Sequence, residues 1–135
     1  MTLKEFFLND RFAVNAGVEL LEVRPGYAKC RMLITPEHLN GGGVCQGGAL
    51  FTLADLAFAA AVNSHLVLTF STTATITFIR SVASGYVYAE ATETVNHPRL
   101  PFAEVRISDE QGQLVAVLTS SGYRKQGAVI DATLD

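Results

Sequence analysis

Hydrophobic and polar positions change their period along this chain, and the changes divide it into elements. Near the N-terminus Leu3, Phe6, Phe7 and Leu8 follow a Thr2-x-x-Glu5 capping box at helical spacing. That predicts a short amphipathic helix over about residues 3–11, covering one end of the core. Val18–Val23 reads as a strand and Pro25-Gly26 as a turn. Tyr27–Ile34 then alternates, with Ala28, Cys30, Met32 and Ile34 on one face and Lys29 and Arg31 on the other. This is the pattern of a half-buried antiparallel strand. From Gln46 or Gly47 to about Ser64 the segment is apolar nearly all round a helical wheel, which predicts a helix wrapped by other elements rather than laid on a surface. Beyond it Ser71–Arg80, Tyr86–Val95, Phe102–Ser108 and Leu114–Arg124 read as strands, separated by Gly85, a loop with two prolines at Asn96–Pro101 and a turn at Asp109–Gly112. Residues 126–135 are expected to form a loosely held tail. The order is helix, two strands, long helix, four strands, with no regular βα alternation. It predicts an α+β fold in a single domain over residues 1–135, an antiparallel sheet of about six strands curled around one helix.

Composition narrows the function. The 135 residues carry a formal net charge of −3 and no run of lysine or arginine, which argues against a nucleic-acid partner. Glu5 and Asp10 stand where a signal peptide would place its apolar stretch. The apolar run Gly47–Val62 is interrupted by Asp55 and is shorter than the ~20 residues of a membrane span. The expectation is a cytoplasmic protein with reduced thiols and no membrane partner. Cys30 falls on the core face of its strand. Cys45 lacks the surroundings of a cysteine nucleophile and reads as a packed loop residue. No spacing calls for a metal, and no motif calls for a cofactor.

The candidate chemistry lies in one stretch, His38 to Asp55. A loop rich in glycine runs into the long apolar helix, and between Glu37 and Arg80 the only formal charge is Asp55. A carboxylate in such surroundings needs a partner, a shifted pKa or a chemical task; it is either a nucleophile or general base, or a buried cap for neighbouring backbone. Gly47 and Gly48 open the helix, where N–H groups lack internal partners and lie at the positive end of the dipole. A carbonyl gaining negative charge would be stabilised there, although a glycine needed for packing would look the same. Asn40 and Gln46 flank the loop with amides that either orient a substrate or form turns. Gly47 and Asp55 are eight residues apart, about 12 Å along one helix, too far for both to serve one carbonyl. If both act, Asp55 comes from a second copy of the chain, and the protein is at least a dimer.

Asn40, Gln46-Gly47-Gly48 and Asp55, with Ala57-Phe58-Ala59 and Asn63-Ser64, resemble the N-x5-H-G-G-x6-D signature of the PaaI-like hotdog-fold acyl-CoA thioesterases. Thr75–Arg80 is similar to the strand that follows in that family, and the resemblance extends from about Gly17 to Lys125. It implies a hotdog fold and hydrolysis of an acyl-CoA thioester. By this analogy the Gly47 N–H polarises the carbonyl, Asp55 of the neighbouring subunit is nucleophile or general base, and Asn40 positions the water or thioester. Ser71 matches a position where relatives place a hydroxyl near the water, and Gly48, Thr72 and Arg80 contact substrate. The resemblance further implies a dimer of dimers. This chain departs from the signature at Gln46, where the family usually has histidine; glutamine hydrogen-bonds but does not titrate. A non-catalytic protein that binds acyl-CoA or an acyl carrier therefore stays open beside the enzyme. A hotdog dehydratase is a weaker alternative, because it needs a histidine paired with a carboxylate and the loop and helix supply none. Arg80, Arg99, Arg124 and Lys125 are the candidate cations for CoA phosphates, Arg80 foremost. His38, His65 and His97 are expected at the surface.

Overall fold

The computed structural model describes all of residues 1–135. The N-terminal helical segment is broken in two. Helix α1 spans Leu3–Phe7, opened by the Thr2–Glu5 capping box, and α2 spans Arg11–Asn15. The break comes at Asp10, whose Oδ1 accepts the Ala13 N–H at 3.1 Å and starts the second helix. The single helix expected over 3–11 is thus a corner, with Asp10 at its bend.

Strands β1 (Val18–Arg24) and β2 (Tyr27–Ile34) form a hairpin. The long helix α3 covers Gly47–Val62 and ends in a 3-10 turn, Asn63–His65. Strands β3 (Val67–Phe78), β4 (Gly85–Val95), β5 (Phe102–Ser108) and β6 (Leu114–Val129) follow. All six strands join one antiparallel sheet in the order β1-β2-β4-β5-β6-β3. The sheet curls round α3, giving the α+β hotdog arrangement that the sequence predicts.

Small residues let the layers approach. Ala54, Ala57, Ala60 and Ala61 of α3 and Ala28, Ala89, Ala91 and Ala103 of the sheet are fully buried. Leu53, Phe58 and Val62 fill the space between them with Met32, Val105, Ile107 and Leu118. By area bookkeeping each such large apolar side chain contributes about 1.5–3 kcal/mol. The helix is not wrapped completely. Gly48, Phe51, Thr52, Asp55 and Ala59 follow i, i+3/i+4 spacing along a stripe the sheet leaves uncovered. By length and hydropathy the segment Gly47–His65 would suffice to cross a membrane, but 61% of its most apolar window is buried in the core.

The tail is not loose. Strand β6 continues past Arg124, Val129 pairs with Val67, and the Ile130 N–H donates to Leu66 O at 2.8 Å. Thr133 then exchanges hydrogen bonds with the N-terminus, donating to Met1 O and accepting from the Leu3 N–H. Strand β3 begins four residues before the expected Ser71. Asn63, buried at the end of α3, forces this: its Oδ1 accepts the Thr69 N–H at 2.8 Å, and its Nδ2 donates to Thr69 O and Ala59 O.

Arg124, a candidate cation for CoA phosphate, and His65, expected at the surface, are instead part of a buried ionic cluster. The Arg124 guanidinium donates to Asn96 Oδ1 at 2.7 Å and to the carbonyls of His97 and Val62, and lies 3.6 Å from Glu93 Oε2. Glu93 Oε1 meets His65 Nε2 at 2.8 Å. Arg124 is therefore not available to CoA phosphates, and His65 is a partner of Glu93 rather than a free surface ring.

Candidate active site

The loop from His38 to Gln46 is held from both ends. The Thr35 N–H donates to His38 Nδ1 at 2.9 Å, which leaves the proton on Nε2, bonded to Ala16 O at 2.6 Å. His38 is thus a strut between the loop and the end of α2. The Gln46 N–H returns to His38 O, and the Cys45 N–H reaches Val82 O. Within the loop Asn40 is a turn former: its Oδ1 accepts the N–H groups of Gly42 and Val44, and its own N–H donates to Val44 O. Gly43 closes the turn at φ +79°.

At the start of α3 the donors divide unequally. Gln46 is the N-cap, and its side-chain Oε1 accepts the Gly48 N–H at 2.9 Å. The Gly47 N–H has no acceptor in the chain. Gly47, Asn40 and Arg80 line one cleft of about 390 Å³, together with Phe78 and Ile79. A Cβ at Gly47 would lie 2.8 Å from the Phe78 ring, so the missing side chain is what lets that ring sit over the helix start. This cleft unites an unpaired donor, an amide and a cation. Gly48, its N–H already capped, offers only backbone exposure beside it.

Asp55 lies elsewhere. It lines a separate cavity of about 310 Å³ with Ser71, Phe6, Phe7, Asp10 and Phe58 among its walls. Its carboxyl pKa is raised above the usual value, first by burial and second by the negative charge of Asp10; no cation and no hydrogen-bond donor offsets these. Ser71 Oγ lies 3.0 Å from Ser120 Oγ. Thr72 is outside both cavities. It is the extra residue of a bulge, between the Ser71–Gly122 and Thr73–Ser121 pairs, and its hydroxyl donates to Ser121 O. Cys30 is inert, its thiol pushed up to about 12 by burial, and burial raises Cys45 as well.

Within one chain, then, Asn40, Gly47 and Arg80 come together, Asp55 and Ser71 come together, and the two groups occupy different cavities. Sequence reasoning did not find Phe6, Phe7 and Asp10 as walls of the Asp55 cavity. Nothing in the spacing of residues 6–10 relates them to position 55; only the bend at Asp10 does. Phe78 over Gly47 escaped for the same reason.

A family model, that of the thioesterase superfamily, matches residues 42–116, a span that includes Gly47, Asp55, Ser71 and Arg80. The chain belongs to the thioesterase superfamily. Among curated proteins it is 32% identical over 123 residues to the acyl-coenzyme A thioesterase PaaI of Escherichia coli, covering 90% of this chain and 87% of that one. The solved structure of E. coli PaaI superposes with a TM-score of 0.88, at 31% identity and over 93% and 91% of the two chains. The phenylacetic acid degradation protein PaaI of Thermus thermophilus, solved as a point mutant, gives 0.82 at 31% identity, over 86% of this chain and 100% of that one. A Streptococcus pneumoniae thioesterase solved with coenzyme A shares the fold at a TM-score of 0.84 and 18% identity, over 93% and 99% of the chains. The present chain is a PaaI-like hotdog enzyme of this superfamily.

Proposed function

We propose that the enzyme hydrolyses acyl-CoA thioesters at a site shared by two copies of the chain, with the Gly47 N–H of one and the Asp55 carboxylate of the other facing the same thioester. The observation that carries this reading is that the start and the middle of α3 open into two different cavities. A free N–H lies at its start and an unpaired carboxylate eight residues on. A two-fold axis passing near Phe51 would bring each Gly47 to the partner's Asp55. Strand β3 supports such pairing. It is a sheet edge of 12 residues, has no charge and no proline, and exposes Phe70 and Phe78. Sheet edges left free in solution usually carry charges to prevent pairing. The opposite edge, β1, carries Glu19, Glu22 and Arg24.

In this reading the thioester oxygen accepts from Gly47 as negative charge builds on it. Asp55 either takes a proton from water, which adds to the carbonyl carbon, or adds to that carbon itself and is released by water. In both routes the C–S bond breaks, the CoA sulfur leaves with a proton, and the free acid remains. Asn40 and Ser71 orient the water or the thioester. Arg80, at the cleft mouth, faces CoA phosphate. The cavity beside Asp55, with Phe6, Phe7, Phe58 and Phe70 in its walls, favours an apolar or aromatic acyl group. Free, reduced Cys30 and Cys45 suit a cytoplasmic enzyme. A dimer of dimers is the assembly this family resemblance supports. The Gln46 departure does not favour the non-catalytic alternative, because capping Gly48 needs an acceptor and no titration.

The test is thiol release from a panel of short, medium and aryl acyl-CoAs, followed by mixing two inactive variants. Asp55→Asn and Gly47→Pro subunits, each inactive alone, regain activity when mixed, because a mixed dimer holds one site with neither change. Turnover of no panel member, or no recovery on mixing correctly folded variants, overturns the reading. Label in the Asp55 carboxyl after a single turnover in ¹⁸O water establishes the nucleophilic route, with water opening the mixed anhydride at the aspartyl carbon.

A further inference from the structure

The bend between α1 and α2 places a second carboxylate in the Asp55 cavity, and the thioesterase reading gives it no task. Asp10 is half-buried, and its backbone position is fixed by its role as N-cap of α2. It lines the same cavity as Asp55, together with Phe6, Phe7 and Phe58. For capping alone, asparagine or serine would serve as well and bring no negative charge into that cavity. We infer that Asp10 is a positioning residue for the proposed hydrolysis: through its fixed charge it sets the proton affinity of Asp55, and so the pH above which the enzyme works. This rests on the thioesterase reading for its consequence in catalysis, though not for the coupling itself.

The surroundings leave Asp10 as the dominant charge. Strand β3, which closes the cavity on one side, has no charged residue, and α3 has none besides Asp55. On α1, Lys4 and Glu5 face a neighbouring cavity. Arg11 follows Asp10 in the chain. Behind Thr69, Arg124 is engaged by Glu93 and Asn96, and His65 by Glu93. The repulsion between Asp10 and Asp55 adds to burial in raising the Asp55 pKa, the direction that makes a carboxylate a better proton acceptor once ionised.

The experiment compares wild type with Asp10→Asn and Asp10→Ser, both of which keep a capping oxygen, and with Asp131→Asn, an exposed site outside the cavity, as control. Two readouts are taken: the acid limb of kcat/KM against pH, and the Asp55 side-chain carboxyl titration followed by ¹³C NMR. Both Asp10 variants are expected to move the limb and the titration down together, with the control unmoved. An NMR titration that stays put in folded Asp10→Asn and Asp10→Ser overturns the proposal whatever the activity. A shifted NMR titration in a protein that turns over no acyl-CoA upholds the coupling and removes the thioesterase reading instead.

Discussion

Gln46 Oε1 accepts the Gly48 N–H at 2.9 Å, so the residue at the histidine position of the loop motif serves here as the helix cap. The side chain before the glycine pair is an N-cap acceptor. Its removal in Gln46→Ala leaves a helix donor unpaired and is expected to cost about 1 kcal/mol of stability, read as a lower urea midpoint. Gln46→His restores an acceptor and should keep kcat within a few-fold of wild type. A rise of orders of magnitude in Gln46→His would show instead that the native chain lacks a needed proton carrier.

Removing a single donor tests the other half of the site. Gly47 is the first residue of α3, where proline is well tolerated, and Gln46 before it has φ −65° and ψ 139°, compatible with a following proline. The Phe78 side chain, half exposed, must swing away to make room for the new ring. Gly47→Pro therefore deletes the N–H and displaces Phe78. The expected result is a fall in kcat of about 10²–10³ with a small drop in thermal midpoint. Full activity in this variant would mean that the carbonyl is polarised elsewhere.

Asp55 should trade activity against stability. Its pKa is raised in the folded protein from an ordinary 3.8, so the native state binds the proton more tightly than the unfolded chain. Stability from this group is fully present below the unfolded value and falls as pH rises through the folded one. Asp55→Asn removes the buried charge. It is expected to lower kcat by about 10²–10⁴ and to raise the thermal midpoint by a few degrees at pH 8. The gain should vanish below about pH 4. Thermal scans at the two pH values check the sign; a midpoint lower than wild type at pH 8 would mean that Asp55 has a stabilising partner in the assembled protein.

What the sequence made legible, and what it hid, divides by range. The alternation of Tyr27–Ile34 and Phe102–Ser108 is visible because one face of each strand is dry, and the start of α3 is visible because Gln46-Gly47-Gly48 is a local cap signal. Candidate residues at the helix start and in its middle, Gly47 and Asp55, follow from the same local reading. The hold on the tail is not legible, since it comes from Val67 and Met1, far from residues 129–133 in sequence. The burial of Arg124 depends on Glu93 and Asn96 in another strand and its loop. The bend at Asp10 rests on one capping hydrogen bond to the Ala13 N–H, which the spacing of Leu3, Phe6, Phe7 and Leu8 does not reveal.

Arg124 and Glu93 give the sharpest stability test. Their side chains are 9% and 5% exposed, and Glu93 Oε2 has no hydrogen-bond partner, only the guanidinium 3.6 Å away. Taking away the cation leaves the Glu93 carboxyl buried and held on one side only by His65. Arg124→Met is therefore expected to cost about 3–5 kcal/mol, seen as a large loss of urea midpoint. The carbonyls of Val62 and His97, which also accept from Arg124, add to that loss. Glu93→Met alone strands the cation in turn, though Asn96 and the two carbonyls still hold it, so its cost should be smaller. Removing both charges together in Arg124→Met with Glu93→Met should recover much of the stability, because desolvation of an ion pair offsets most of its attraction. A double variant as unstable as the sum of the singles would mean that the hydrogen bonds to Val62 and His97, rather than the paired charges, hold the end of α3 in the sheet.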